Sequence, residues 1–388
     1  MANHPQRNGM NCKEATKSYE AWLAIHTRLV EADLQLKHQQ MSADVFSFMR
    51  ATIYRWVEIW SEQCAPLTSA PAVLAIGDLH VENFGTWRDA EGRIVWGVND
   101  FDEAFRLPYT NDLVRLAASA HLAISANSLA LKPADACAAI LSGYAKGLND
   151  GGCPFVLAEK HEWLRSTVLS ALRDPEKFWD KLDSLPTVET RIPAKAMKAL
   201  AGALPSAKIP YRVVHRVAGL GSLGRQRFTA LAEWNGGKIA REAKALVPSA
   251  CVWSDGMKDR HSQYNKILGR AIRCPDPSLE LRKNWVLRRL APDCSRVELA
   301  MLPMDRDQHK LLEAMGRETA NIHLGSKHTI KKVKQDLAKR PDGWLHDASK
   351  TMVEAITKDW QSWCGPEGRS HLGSQRNQKS DAVSGKRK

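Results

Sequence analysis

The interpretation of this sequence depends on two short acidic stretches, Gly77-Asp78-Leu79-His80-Val81-Glu82-Asn83 and Asn99-Asp100-Phe101-Asp102-Glu103. The first stretch follows Ala72–Ile76, a short apolar run that predicts a strand, so Asp78 stands at a strand end. Residues 84–98, between the two stretches, alternate as a hairpin does around a turn at 89–92. Because a hairpin returns its second strand beside its first, we expect the second acidic stretch to lie close to the first.

The residue types in these stretches indicate a metal-assisted reaction. Carboxylate and amide oxygens are hard ligands, which suit Mg²⁺ better than zinc. A carboxylate that is not used for the metal can act as a general base. An Asp, an Asn five residues later, a hairpin and a further Asp follow the order that kinases use. We therefore expect Asp78 to be the base, and the predicted metal ligands are Asn83, Asp100 and Asp102. His80 has two interpretations, as an active-site residue or as a brace for the loop.

Asp112 stands at the predicted start of a long helix that runs to about Ala130. An Asp in this position is a good N-cap. In kinase-like folds an Asp here also braces the catalytic loop, so both roles are expected. Any one of the acidic residues alone would be a turn or capping residue, and it is their order together that favours a functional site.

A glycine-rich stretch, Gly219-Leu220-Gly221-Ser222-Leu223-Gly224, matches the pattern G-x-G-x-x-G. A dinucleotide-binding loop of this type is followed by a helix. Here Arg225–Trp234 alternates, Asn235-Gly236-Gly237 predicts a hairpin turn, and Lys238–Leu246 alternates again. That arrangement is the one in which kinases cover nucleotide phosphates. The predicted nucleotide contacts are Gly219, Gly221, Ser222, Gly224 and, on the third strand, Lys244, with Arg241 as second choice. An ordinary glycine-rich turn is the alternative.

The two motifs occur in the reverse of the usual kinase order, since Asp78 precedes the glycine loop by about 140 residues. We therefore predict an α+β protein with a kinase-like two-lobe fold that is circularly permuted, the catalytic lobe first. The predicted division is a loose terminus and helix (1–40), a helical catalytic lobe (41–208), a glycine-loop β lobe with closing helices (209–364) and a disordered basic tail (365–388).

Composition limits the class of protein. With 388 residues, 44% apolar and 26% charged, the chain is typical of a globular protein. It contains no run of about 18 apolar residues, so we expect no membrane partner. The eight Cys are dispersed and form no C-x-x-C pair, which argues against a disulfide framework or a zinc site and fits a reducing cytoplasm. We find no apolar signal region either, so we expect a cytoplasmic protein.

The net charge is +13, which suits an anionic partner such as a nucleotide, a phosphosugar or nucleic acid. Residues 365–388 contain six Lys or Arg against two acidic residues. Nucleic-acid binding is therefore expected only weakly, through this tail. On a predicted strand, Arg288 and Arg289 stand side by side, and one of them could reach a phosphate, although a solvated surface Arg is the commoner case.

The sequence resembles the bacterial family catalogued as domain of unknown function 2252. The resemblance spans residues 41 to 325 and is carried by segments at 45–50, 77–85, 99–104, 112–117, 219–224, 244–249 and 288–290. It implies little about function. The loop from Gly77 to Asn83 and the strand end Asp100-Phe101-Asp102 also resemble the aminoglycoside phosphotransferase and choline kinase branch of the kinases. That resemblance implies Asp78 as the base, Asn83 and Asp100 as Mg²⁺ ligands and Asp102 as an accessory.

The expected function is thus an Mg²⁺- and ATP-dependent phosphotransferase that acts on the hydroxyl of an unidentified small molecule. A catalytically inactive, nucleotide-binding regulatory protein is the main alternative, because residues 249–273 contain no Glu to pair with the lysine. A binuclear metallophosphoesterase would need further ligand pairs that the sequence lacks. A nucleic-acid binder has only the charge in its favour.

Overall fold

The computed structural model describes residues 9–157, 161–169, 173–255, 262–294 and 308–384. Within these residues the chain combines helices with three small β-sheets, which confirms the α+β class. No helix in the described part of the chain is both long and apolar enough to cross a membrane. The two-lobe permuted arrangement and the division into four parts stay predictions.

Four helices form the N-terminal part: α1 (Cys12–His26), α2 (Glu31–Ala43), α3 (Val45–Ala51) and α4 (Ile53–Gln63). The sequence predicted single helices over 13–39 and 44–63, and both predictions are wrong. The first helix ends because Val30 N–H donates to the Gly224 carbonyl at 2.9 Å, beside a β-bridge between Leu29 and Arg225. The second is broken at Thr52, whose backbone (φ −121°, ψ 47°) is not helical.

The acidic stretches lie on two small sheets. In the first, β1 (Ala72–Ala75) pairs antiparallel with β4 (Phe105–Pro108). In the second, β2 (Phe84–Arg88) and β3 (Ile94–Val98) form the predicted hairpin, and β5 (Phe155–Val156) adds a third strand. Helix α5 (Tyr109–Ser125) begins directly after β4 and is buried along most of its length, so it is the centre of the main hydrophobic core.

The glycine-rich stretch belongs to a five-stranded antiparallel sheet, and its strands are β6 (Tyr211–Val214), β7 (Arg227–Trp234), β8 (Gly237–Ala245), β9 (Glu280–Arg282) and β10 (Trp285–Leu290). Their order is β6-β7-β8-β10-β9. The hairpin turn is confirmed, because Asn235 and Gly236 both have positive φ (48° and 80°), as a tight two-residue turn requires.

Helices cover both faces of this sheet. Helix α9 (Ala194–Ala201) packs its small side chains on Phe228, Ala243 and Trp285. On the opposite face, Phe178 and Leu182 of α8 (Pro175–Asp183) pack on an apolar row. That row is formed by Val214, Leu231, Ala240 and Leu290. The polar residues of the same face lie next to this row, closer to the acidic stretches.

The remaining helices are α6 (Pro133–Asp150), α7 (Glu162–Leu169), α10 (Ala250–Asp255), α11 (Tyr264–Arg270), α12 (Gln308–His323), α13 (Ile330–Leu337) and α14 (Trp344–Ser384). The helix expected over 257–272 is confirmed only as α11, and residues 257–261 lie outside the described residues. Helix α14 is interrupted at Gly365 (φ 70°, ψ −158°), next to the predicted helix end at Cys364.

Two glycines allow α6 and α12 to cross closely. A Cβ on Gly316 would overlap the Ile140 carbonyl oxygen, and a Cβ on Gly143 would overlap the Glu313 carbonyl oxygen. Both obstacles are backbone atoms, which cannot rotate away as a side chain would. The crossing therefore requires that these two positions have no side chain.

We expect Gly316→Ala to lower the free energy of unfolding by about 2–3 kcal/mol, since the helices must move apart. Gly269→Ala is the matched control, because Gly269 is an exposed helical residue and a Cβ there would have no other atom within 4 Å. The control should be neutral or stabilising by up to about 1 kcal/mol. Urea unfolding of the three proteins checks this, and equal stabilities for the two variants would contradict the close crossing.

Candidate functional site

Asp112 holds the strand end that carries Asp78. Its Oδ2 accepts from Ile76 N–H at 2.7 Å and its Oδ1 from Gly77 N–H at 2.9 Å. Gly77 has φ +83°, and a Cβ there would overlap the Glu103 carbonyl oxygen. The expected bracing of the loop is therefore observed. The N-cap role is wrong, because α5 begins at Tyr109 and the Asp112 carboxylate faces the loop rather than the N–H groups of its own helix.

A buried relay supports Asp112 from behind. His323 Nε2 lies 3.0 Å from Asp112 Oδ2, and His323 Nδ1 lies 2.8 Å from the Tyr144 hydroxyl. All three side chains are fully buried. The end of helix α12 at His323 is thereby joined to the loop that carries Asp78.

Asp78 is paired with Arg115, a residue to which the sequence gave no role. Asp78 Oδ1 accepts from Arg115 Nε at 2.9 Å and from Nη2 at 2.5 Å. Arg115 is fully buried and lies over the Trp56 ring at 4.9 Å. Burial raises the pKa of Asp78, and the Arg115 charge opposes that rise. The signal in the sequence was an Arg one helical turn after Asp112, on a helix of otherwise apolar character.

Asn83 and His80 shape the loop after Asp78. Asn83 Nδ2 donates to the Asp78 carbonyl at 2.9 Å, and Asn83 N–H donates to the His80 carbonyl at 2.8 Å. His80 is buried, and its Nδ1 accepts from Glu82 N–H at 3.2 Å. Of the two interpretations of His80, this geometry favours the brace. The Asn99 N–H donates to the Asn83 carbonyl at 3.2 Å, so the hairpin does return the second acidic stretch to the first.

Lys244, on β8, brings Asp100 and Asp102 together. Its Nζ lies 3.1 Å from Asp100 Oδ2 and 2.7 Å from Asp102 Oδ2. The Lys244 side chain is buried, whereas Asp100 keeps 41% of its side chain exposed. Arg241 was the second choice for the nucleotide contact on this strand. It donates instead to the Ala203 carbonyl, away from the acidic stretches. Lys238 pairs with Asp183 at the far end of the strand.

The pKa values of the two carboxylates are shifted in opposite directions. Burial raises the pKa of Asp102 to about 6, and the neighbouring charge of Asp100 adds to this rise. Burial also acts on Asp100, but Lys244 and Arg288 outweigh it and lower the pKa of Asp100. Asp102 Oδ1 is buried and has no hydrogen-bond partner among the described residues.

These oxygens fit a divalent cation only in part. Asp100 and Asp102 already converge on one positive group, and the unpartnered Asp102 oxygen is a further free ligand. Among the described residues, however, no three His, Cys, Asp or Glu side chains are grouped as a metal site. A metal here would take two carboxylates, with the Asn83 amide oxygen and water completing its oxygen ligands.

The glycine loop lies directly against Asp78. Leu220–Ser222 forms one 3₁₀ turn, entered at Gly219 with φ 74° and left at Gly224 with φ 91°. A Cβ on Gly221 would lie 3.0 Å from the Arg50 carbonyl oxygen and 3.4 Å from Asp78 Oδ2. The two motifs that are far apart in the sequence therefore meet in the folded chain, and the loop covers Asp78.

Arg225, immediately after the loop, was also missed by the sequence reasoning. Its Nη2 donates to Glu103 Oε1 at 2.9 Å and its Nη1 lies 3.4 Å from Asp102 Oδ2. Glu103 Oε2 in turn accepts from Ala250 N–H at 2.7 Å, at the start of α10. The signal in the sequence was an Arg directly adjoining a glycine-rich loop. Arg225 thus ties the loop to the second acidic stretch.

The neighbouring residues Arg288 and Arg289 face opposite ways. Arg288 faces the acidic stretches: its Nη2 approaches the Asn99 carbonyl at 3.5 Å, and the charge of Asp100, against the effect of burial, raises the pKa of Arg288. Arg289 faces away from them, towards Cys294. The position of Arg288 is not that of a solvated surface arginine, and its contact with a phosphate stays a prediction.

One comparison with known proteins gives a match, and that match covers part of this site. The model of a family described as "Uncharacterized protein conserved in bacteria (DUF2252)" matches residues 28–174. The matched part includes both acidic stretches, Asp112 and Arg115, and it ends before the glycine loop and Lys244. No curated protein and no solved structure matches the chain. In its residues 28–174 this chain is thus similar to an uncharacterised bacterial family.

A buried carboxyl stands behind the hairpin that carries the second acidic stretch. Glu318 is 1% exposed, and its Oε1 accepts from Val98 N–H at 3.2 Å, just before that stretch. Its Oε2 accepts from Asn321 Nδ2 at 2.8 Å. Burial raises the pKa of Glu318 to about 7, although these hydrogen bonds and Arg273 oppose the rise.

We expect Glu318→Gln to change how stability depends on pH. The carboxyl has a pKa of 4.5 when unperturbed and about 7 when folded, so the folded wild type binds more protons between these values. Its stability must therefore fall as the pH rises through that window, by up to about 3 kcal/mol. The glutamine lacks this titration. Urea unfolding of both proteins from pH 5 to 8 should show the difference moving in favour of the variant, and a difference independent of pH would contradict the buried carboxyl.

Proposed function

We propose that this protein is a magnesium-dependent phosphotransferase with a kinase-like, circularly permuted two-lobe fold, which transfers a phosphoryl group from ATP to the hydroxyl of a small molecule. One observation carries the proposal. The glycine loop lies against Asp78, and Lys244, on the second strand after that loop, contacts Asp100 and Asp102, although about 140 residues separate the partners of each contact in the sequence. These are the parts that phosphoryl transfer requires.

The proposed reaction uses the acceptor hydroxyl as the nucleophile. Its oxygen attacks the terminal phosphorus, the bond from that phosphorus to the bridging oxygen breaks, and ADP leaves with the electron pair. Asp78 accepts the hydroxyl proton. Of its two oxygens, Oδ1 is tied to Arg115, so Oδ2, which faces the glycine loop, is the one available. Arg115 fixes the direction of the carboxylate.

Magnesium would neutralise charge on the phosphates, held by Asp100, Asp102 and Asn83. In the structure the ammonium group of Lys244 occupies the space between Asp100 and Asp102. Lys244 is therefore the internal counter-ion of these two carboxylates, and a phosphate would draw it away from them. Arg288, beside Asp100, is a second cation for the same phosphates.

Replacing Lys244 by Met separates its two roles. We expect Lys244→Met to bind Mg²⁺ alone more tightly, by about tenfold, because the competing ammonium is gone. The same variant should bind Mg²⁺–ATP at least tenfold more weakly, because a phosphate contact is lost. Isothermal titration checks both, with Lys238→Met, at the exposed end of the same strand, as the matched control. Weaker binding of Mg²⁺ alone by Lys244→Met would contradict the counter-ion role.

The base is tested by Asp78→Asn, which removes the proton acceptor and keeps the shape. We expect turnover in an acceptor screen with ATP to fall by about 10²–10⁴-fold. Binding of Mg²⁺–ATP, followed by thermal shift, should remain, whereas Asp100→Asn should abolish it. An Asp78→Asn protein with wild-type turnover would refute the assignment of the base.

A catalytically inactive nucleotide-binding protein is the second candidate. The observation in its favour is the tight pairing of Asp78 with Arg115, since a neighbouring guanidinium weakens a carboxylate as a base. No helix glutamate pairs with Lys244 among the described residues either. Mg²⁺–ATP binding without turnover on any acceptor, in the wild type and in Asp78→Asn alike, would select this alternative.

A further inference from the structure

Glu242 is a fully buried carboxylate to which the proposed reaction gives no role. Its Oε1 accepts from Arg227 Nη1 at 2.6 Å. Its Oε2 accepts from Arg216 Nε at 2.7 Å and lies 2.6 Å from Arg216 Nη2. Burial alone would raise the pKa of Glu242, but the arginines lower it to about 2. The carboxylate is therefore charged, and both of its oxygens are occupied.

The two arginines lie on opposite sides of the glycine loop in the sequence. Arg216 follows β6 and precedes the loop, and Arg227 is the first residue of β7 after the loop. Arg227 also reaches into the loop, because its Nη2 donates to Ser222 Oγ at 2.9 Å. One carboxylate thus joins the entrance of the loop, its exit and, through Arg227, its middle.

Glu242 shares a strand and a face with Lys244, two residues further along β8. In the register of the sheet, Arg227 stands opposite Lys244, and Arg288 stands opposite Glu242. The strand that supplies the lysine therefore also supplies the anchor of the loop. Because Glu242 and Lys244 are two residues apart on the same strand, the strand fixes the distance between the anchor of the loop and the lysine.

Helix α2 holds the loop from the outside. Val30 N–H donates to the Gly224 carbonyl, Leu34 packs where a Cβ on Gly224 would be, and Asp33 lies 3.0 Å from His215 Nε2. These contacts act at the ends of the loop, whereas in its middle Leu220 and Leu223 pack in the main hydrophobic core and Gly221 lies against the Arg50 carbonyl. Among the described residues, the Ser222 hydroxyl donates to the Gly219 carbonyl at 3.1 Å, within the loop, and accepts from Arg227 Nη2 at 2.9 Å.

We propose that Glu242 is a positioning residue, which fixes the glycine loop over Asp78 through Arg216 and Arg227 and thereby sets the affinity for nucleotide phosphates. The effect on phosphate affinity rests on the proposed function, whereas the fixing of the glycine loop does not. A loop held in its binding conformation before the ligand arrives binds more tightly, because less conformational entropy is lost on binding.

The first test needs no nucleotide. Hydrogen exchange followed by mass spectrometry on the full chain reports the loop, residues 216–227, separately from the rest. We expect Glu242→Gln to accelerate exchange there about tenfold, because an amide cannot accept from both guanidinium groups. Arg216→Gln, at a residue with 22% of its side chain exposed, leaves Glu242 paired with Arg227 and should act in the same direction more weakly.

The control is Leu287→Ala, on the other face of β10, which weakens the sheet without touching the pairing of Glu242 with its two arginines. It should accelerate exchange across the sheet with no preference for the loop. Unchanged loop exchange in both Glu242→Gln and Arg216→Gln would overturn the positioning role. If Glu242→Gln is too unstable to purify, Arg216→Gln decides the question alone.

The second test measures Mg²⁺–ATP binding by titration. We expect Glu242→Gln to raise the Kd for Mg²⁺–ATP about tenfold and to leave the Kd for Mg²⁺ alone unchanged; in turnover, KM should rise while kcat does not change. If hydrogen exchange in the loop of Glu242→Gln is faster but the Kd for Mg²⁺–ATP is unchanged, the inference is overturned and the proposed function stands. If hydrogen exchange in the loop of Glu242→Gln is faster but the wild type binds no nucleotide, the proposed function is overturned and the positioning of the loop by Glu242 stands.

Discussion

The arrangement of this protein depends on a buried group of ion pairs that joins three distant segments. Lys244 contacts Asp100 and Asp102, and Arg225 contacts Asp102 and Glu103. Charges removed from water are tolerated only when they are paired and hydrogen-bonded. Because each partner is supplied by a different part of the chain, the glycine loop, the third strand of the sheet and the acidic hairpin must come together for any of them to be buried.

A second constraint fixes Asp78 relative to this group. Asp112 holds the two backbone N–H groups before Asp78, and Arg115, one turn along the same helix, holds the Asp78 carboxylate. A single buried helix therefore sets both the backbone and the side-chain direction of the loop. The relay from Tyr144 through His323 to Asp112 extends this support to two further helices. Buried side chains of α5 thus hold Asp78 in position, in addition to the contact that Asn83 makes within the loop.

Local patterns predicted the parts whose geometry depends on neighbouring residues. The hairpin of residues 84–98, the Asn235–Gly236 turn and the strand bearing Lys244 follow from alternation and from residues that accept positive φ, and the structure has all three. The same reasoning was wrong for the helix over 13–39. Nothing near Val30 indicates a break, since the cause is a hydrogen bond to Gly224, nearly 200 residues later.

The sequence by itself determined the α+β class, the identity of the acidic residues and glycines, and which strand face carries Lys244, because each is set by side-chain type and by a period of two or 3.6 residues. The tertiary structure alone decided that Arg115 pairs with Asp78, that Arg225 joins the loop to Glu103, and that Glu242 is held between two arginines. Such partners are chosen by burial. An arginine has no local preference that names its carboxylate, and only the packed interior, where an unpaired charge is too costly, selects one.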